Sequence, residues 1–163
     1  MKTSKAILAL LTAAALAAAF LTTRWTGIAG ATDPENLSQA VVLRDRDAGV
    51  VALGAKVYAS ECAACHGDGL QGQPDWRVPG DDGLRPAPPH DATGHTWHHD
   101  GDALFRLTKY GLAEVIGDPD FATGMPAYEG VLSDAEIIAV LSYIKSTWPA
   151  EIRAQHDKLE KRQ

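Results

Sequence analysis

The run Cys62-Ala63-Ala64-Cys65-His66 constrains this 163-residue chain more than any other feature, and Cys62 and Cys65 are its only cysteines. A C-x-x-C-H run sets two thiols where they can add to the two vinyl groups of one porphyrin, with an imidazole on the next residue to reach the iron. The spacing predicts one covalently held haem c, anchored by Cys62 and Cys65, with His66 as an axial ligand. A thioredoxin-like dithiol needs a βαβ pattern around the motif, and none is visible. A zinc site completed by two distant histidines and a lone disulfide in an exported protein are the other readings that the motif admits.

The first 31 residues carry Lys2, Lys5 and Arg24 and no acidic residue, around an apolar run from Ala6 to Thr23. That is the pattern of an export segment. Ala29-Gly30-Ala31 offers a cleavage site, whereas the length of the run, about 18 residues, is at the low end for crossing a bilayer. Residues 1–31 are therefore expected to be a signal or an N-terminal membrane anchor. Either fate puts the rest of the chain on the periplasmic side of a bacterial inner membrane, where thiols and haem meet for attachment. Without those three cations the formal charge of −6 becomes −9 for residues 32–163. This acidity argues against nucleic acid as a partner.

Residues 32–46 are small, polar and charged and are expected to be a linker. A helix is expected from Asp47, a capping residue, to about Ser60, with Val50, Leu53, Val57 and Tyr58 at helical spacing. Gly, Pro and Asp crowd residues 67–99, which predicts a long loop over the haem edge. A second helix is expected over 101–110, capped by Asp100 and closed by Gly111. Residues 111–132 read as irregular. Ser133-Asp134-Ala135-Glu136 is a capping box that opens a third helix, which ends at Trp148-Pro149. Residues 150–163 form a charged tail, with no function assigned. The domain is then 47–149: all-α, one small core around a covalent haem, and expected to be monomeric.

Apart from the initiator, Met125 is the only methionine. It stands in a loop, ahead of a proline that stiffens the backbone. A lone methionine is ordinarily core filler, but beside a haem with one open position it is the expected second axial ligand. Its thioether favours reduced iron and raises the potential. Iron with both axial positions filled carries electrons rather than transforming a substrate, so no enzymatic activity is expected.

With these residues the chain resembles the class I c-type cytochromes, over roughly Asp47 to Trp148. The matching pieces are Gly54-x3-Tyr58-x3-Cys62, Cys62-Ala63-Ala64-Cys65-His66-Gly67, Gly124-Met125-Pro126, and Leu132-Ser133-Asp134-x-Glu136-Ile137 leading to Tyr143. The resemblance implies that the first and last helices cross closely, with Gly54 and Tyr143 at the contact. It also implies that a proline carbonyl orients the proximal histidine; Pro88 is the candidate and Pro89 the fallback.

Pro88 to Asp100 departs from the simplest pattern, for it holds His90, His95, His98 and His99. One reading has Trp97 and its neighbours hydrogen-bonding the haem propionates. Another is copper or zinc binding by the four histidines, since imidazole suits these ions. A third has one histidine replacing Met125 on the iron, which lowers the potential. The function expected first is a monohaem electron carrier between periplasmic or membrane-bound redox proteins, including a subunit of a larger dehydrogenase or oxidase. The alternatives are a ligand-binding or sensing haem with a labile Met125, or a metal-handling module built on residues 90–99.

Overall fold

Asp47 starts the first helix, α1 (Ala48–Val57), by accepting from the backbone N–H groups of Gly49 (3.0 Å) and Val50 (3.1 Å). The computed structural model describes residues 40–161; the export segment and residues 32–39 of the expected linker lie outside that range. The helix does not stop near Ser60. It widens into a π-turn over Tyr58–Cys62, whose extra residue is taken up by an Ala63 N–H to Tyr58 carbonyl bond, and tightens again as α2 (Ala63–His66). Such a bulge rotates the side chains beyond it relative to those before it. Gly67, at φ +80°, ends the run. The haem motif thus stands at the C-terminal end of a helical stretch from Ala48 to His66. That 19-residue stretch has the length and composition of a membrane span, but it buries Gly54, Val57 and Tyr58 inside the domain.

The other helices among the described residues are α3 (Gly101–Tyr110), α4 (Leu112–Ile116), α5 (Asp134–Ser146) and α6 (Ala150–Glu160), with a single 3-10 turn at Thr96–His98. No strand occurs among them, so the domain is all-α. Asp100 caps α3 at Ala103 N–H (2.8 Å) and Gly111, at φ +82°, closes it. The capping box at Ser133 and Glu136 forms as expected. Helix α4 lies in the stretch expected to be irregular. It is one turn bounded by Gly111 and Gly117, both at positive φ, too short for apolar periodicity to register.

Helices α1 and α5 make the most extensive contact. They meet where Gly54 has no side chain. A Cβ there would overlap the Ala139 carbonyl oxygen and sit 2.8 Å from the Tyr143 Cβ. Ile137, Val140, Leu141 and Ile144 line the buried face of α5 and pack with Val57, Tyr58 and Leu104.

Both flanks of the expected domain pack onto it. Leu43 is in the core, Val41 N–H donates to Asp102 (2.7 Å) and Arg44 N–H to the Ser142 hydroxyl (2.8 Å). Lys145 on α5, 1% exposed, reaches Asp157 (2.7 Å) and Glu160 (3.0 Å) on α6 and stands 3.7 Å from Asp45. His156 on α6 is fully buried and donates Nε2–H to the His99 carbonyl (2.9 Å).

Replacing Gly54 by Ala is expected to lower stability by about 2–3 kcal/mol. The gain in helix propensity, about 1 kcal/mol, falls short of the backbone overlap; chemical denaturation checks this. Burial alone would raise the Asp157 carboxyl, but the hydrogen bond and charge of Lys145 outweigh it and hold it below 3.8. The stability this pairing contributes is complete above that value and lost as pH falls through the lower, folded one. Lys145→Met is expected to cost about 3 kcal/mol at neutral pH, and the gap to wild type to shrink below pH ~4 in urea titrations.

Candidate haem site

His66 is buried at the end of α2, and its Nδ1 lies 2.8 Å from the Pro88 carbonyl oxygen. A carbonyl only accepts, so Nδ1 carries the proton and Nε2 keeps its lone pair, the form that binds a metal. Burial holds the His66 pKa below its ordinary value, although the Pro88 bond opposes this, so the ring is neutral at neutral pH. Pro88 rather than Pro89 supplies the acceptor.

Two glycines bring that carbonyl into place. At Gly72, φ +66°, a Cβ would lie 2.6 Å from the Pro88 carbonyl carbon. At Gly94 a Cβ would overlap the Pro89 carbonyl oxygen. The Pro88–Pro89 strap is therefore pressed between two stretches of bare backbone. Its ends are tied by Gly72 N–H to His66 carbonyl (2.8 Å), Gln73 N–H to Ala87 carbonyl (2.9 Å) and His90 N–H to Leu70 carbonyl (2.8 Å). The 67–99 loop is thus anchored at both ends, with an exposed lobe between Gln73 and Ala87.

Cys62 is half-buried and Cys65 is exposed, and no disulfide joins them. Burial, helped by the nearby Glu61 and Cys65 charges, pushes the Cys62 thiol up to about 11. Tyr58 Oη donates to the Gly67 carbonyl (2.9 Å) and holds the turn that follows the motif.

Met125 is 38% exposed in the loop after α4. The loop is fixed just beyond it: Tyr128 N–H donates to Thr108 and Glu129 N–H to Lys109 on α3, and Tyr128 Oη donates to the Glu61 carbonyl (2.8 Å). The Met125 loop is thereby joined to the turn that carries Cys62. Trp97 packs against the core with its Nε1–H buried and unpartnered.

The four loop histidines do not converge. His90 stacks on His66, with centroids 4.0 Å apart, and its Nδ1 pairs with the Thr96 hydroxyl (2.9 Å). His95 stacks on Trp76 and His98 on Trp97, while His99 offers its carbonyl to His156. The His95 and His99 rings meet edge to face with centroids 5.4 Å apart, but no three of the four histidines gather as metal donors among the described residues. Among the described residues, the one group of three such donors that does converge is His156, Asp157 and Glu160, and Lys145 already occupies it.

Two thiols, a neutral imidazole oriented by a carbonyl, and an orphaned buried N–H donor fit a covalent haem with acidic propionates. The family model for cytochrome c matches residues 51–148. The chain belongs to the cytochrome c family. This cytochrome is similar to a cbb3-type cytochrome c oxidase subunit FixP of Bradyrhizobium sp. (strain ORS 278), 32% identical over 97 residues, which are 58% of this chain and 27% of the relative. It is also similar to a cbb3-type cytochrome c oxidase subunit CcoP of Azospirillum sp. (strain B510), 38% identical over 98 residues, 60% of this chain and 29% of the relative. The cytochrome spans less than a third of the length of these two relatives. No solved structure matches it. Membership makes the protein a c-type cytochrome, a one-electron carrier with covalently bound haem c.

Sequence reasoning missed the strap glycines Gly72 and Gly94 and the brace at Tyr128. For Gly72 and Gly94 the signal was present in the glycine-rich loop, but which glycines face the strap depends on the fold. Gly94→Ala is expected to push the Pro88 carbonyl off His66, lower the yield of haem-loaded protein and move the potential of what remains. Yield and potential both equal to wild type would show that the strap accommodates the extra methyl.

Proposed function

We propose that this cytochrome passes single electrons between redox proteins on the periplasmic side of a bacterial inner membrane and catalyses no reaction of its own. The observation that carries this reading is the His66–Pro88 hydrogen bond, which leaves the lone pair on Nε2 of the residue that follows Cys65 in the C-x-x-C-H run. In this reading Cys62 and Cys65 are the thioether anchors, and His66 and Met125 are the two axial ligands. The bound haem supplies the one-electron couple. Pro88 strengthens His66 as a donor by accepting its Nδ1 proton. Trp97, whose Nε1–H is buried without a partner, would supply a donor to a propionate. Tyr128, braced on Glu61, limits the excursions of the Met125 loop.

The names of the two relatives support a place beside, or within, a membrane oxidase, where electrons enter from a donor and leave for the oxidase. We place residues 1–31 as the export signal or membrane anchor, 32–40 as the connection and 47–149 as the cytochrome domain, onto which residues 41–46 and the charged C-terminal helix pack. The protein acts as a monomer toward redox proteins and has no nucleic-acid partner. The stretch from Gly111 to Leu132 carries Glu114, Asp118, Asp120 and Glu129 and no Lys or Arg. Such a face suits brief, salt-sensitive encounters with a basic partner surface.

The deciding test is Met125→Ala in haem-loaded protein. The weak far-red sulfur-to-iron band should vanish and the reduced protein should bind carbon monoxide. The potential should fall by on the order of a hundred millivolts, within the ~0.8 V that axial ligands span. An unchanged band and potential would remove Met125 from the iron and bring the ligand-binding reading forward.

A further inference from the structure

His90 touches the ligand set without belonging to it. Its ring lies face to face with the His66 ring, with centroids 4.0 Å apart and planes 25° apart. Its own position is fixed from three directions. Its N–H donates to the Leu70 carbonyl (2.8 Å), its carbonyl accepts from Trp148 Nε1 (2.8 Å), and its Nδ1 pairs with the Thr96 hydroxyl (2.9 Å). Leu70, Thr96 and Trp148 are all buried.

The Pro88 carbonyl fixes the direction of one N–H of His66. A single hydrogen bond along one axis leaves the ring free to tilt about that axis. A second flat ring against its face removes this freedom, because tilting would open the stack on one edge and close it on the other.

We propose that His90 is a positioning residue that sets the plane of the His66 imidazole, and through it the electronic asymmetry and potential of the haem. This rests on the reading of His66 as an axial ligand. The plane of an axial imidazole decides which iron orbital of π symmetry it overlaps. It therefore decides how unpaired spin spreads over the porphyrin edge in the oxidised state. Pro88 and His90 then act on different parts of the ligand, one holding its edge and the other its face.

The test uses the full-length, haem-loaded protein, read by the proton NMR shifts of the haem methyl groups in the oxidised state and by the reduction potential. His90→Leu keeps much of the volume and loses the flat face. It should change the order or spread of the four methyl shifts and move the potential. His90→Phe keeps the flat face and loses Nδ1, and should restore the wild-type pattern. A wild-type pattern in His90→Leu, or equal changes in the Leu and Phe variants, would overturn the proposal. Where His90→Leu loads no haem, Thr96→Val serves instead. It frees the outer edge of the His90 ring and should shift the methyl pattern in part; an unchanged pattern there also overturns it. The parent reading is judged on wild-type protein alone, from the nitrogen hyperfine signature of a coordinated imidazole. If that signature is missing, the ligand assignment has failed and takes this proposal with it. If it is present while the variants stay silent, only the role of His90 falls.

Discussion

Backbone against backbone at Gly54 is the contact on which the rest of the structure depends. Because no side chain separates α1 from α5 there, the two helices meet at the Ala139 carbonyl and the Tyr143 Cβ. Everything that follows α1 inherits its direction from that crossing. The π-turn at Tyr58–Cys62 redirects the side chains, α2 carries Cys65 and His66, and Gly67 turns the chain out. A bulkier residue at position 54 would move the haem motif as well as weaken the core, since both hang from the same helix.

The proximal side of the site is organised on the same plan. Gly72 and Gly94 press bare backbone onto the Pro88–Pro89 strap, and the strap presents one carbonyl to His66. Close approach of main chain replaces side-chain packing where position matters most. A carbonyl on a strap already fixed by the fold has no rotamers of its own and so places a hydrogen-bond acceptor with less scatter than a long side chain, whose rotamers must also be ordered. Trp148, at the end of α5, then ties the loop to the core through the His90 carbonyl. The helix crossing and the strap thus form one connected piece of structure.

Legibility in the sequence followed the range of the forces involved. The caps at Asp47, Asp100 and Ser133 were readable because a cap is local, with donor and acceptor two or three residues apart. The C-x-x-C-H run was readable because the motif and its spacing are themselves the chemistry, whereas the place of Gly54 came only from the resemblance to the class I c-type cytochromes. Helix α4 was missed because a single turn has no period to detect. The histidine loop was misleading in a different way. Four imidazoles in ten residues suggest a common ion, yet the rings pack on separate neighbours, His90 on His66, His95 on Trp76 and His98 on Trp97, and of the four only His95 and His99 meet each other. The expected linker and tail looked unattached because the groups that seize them, Asp102, Ser142 and Lys145, lie from about ten to a hundred residues away in the chain.

Docking of residues 41–46 onto the domain sets how far the domain can travel. With Val41 and Arg44 already hydrogen-bonded to α3 and α5, only about 16 residues separate Arg24 from the first of these contacts. Fully extended, such a strand reaches at most about 55 Å, at ~3.4 Å per residue. Where the apolar run Ala6–Thr23 stays in the membrane, the cytochrome is confined to a hemisphere of at most that radius above its own anchor. A redox centre inside the hemisphere meets it at an effective concentration in the millimolar range; one outside it is met only when the anchors themselves drift together. Transfer to distant partners is then paced by lateral diffusion in the bilayer rather than by diffusion through the periplasm.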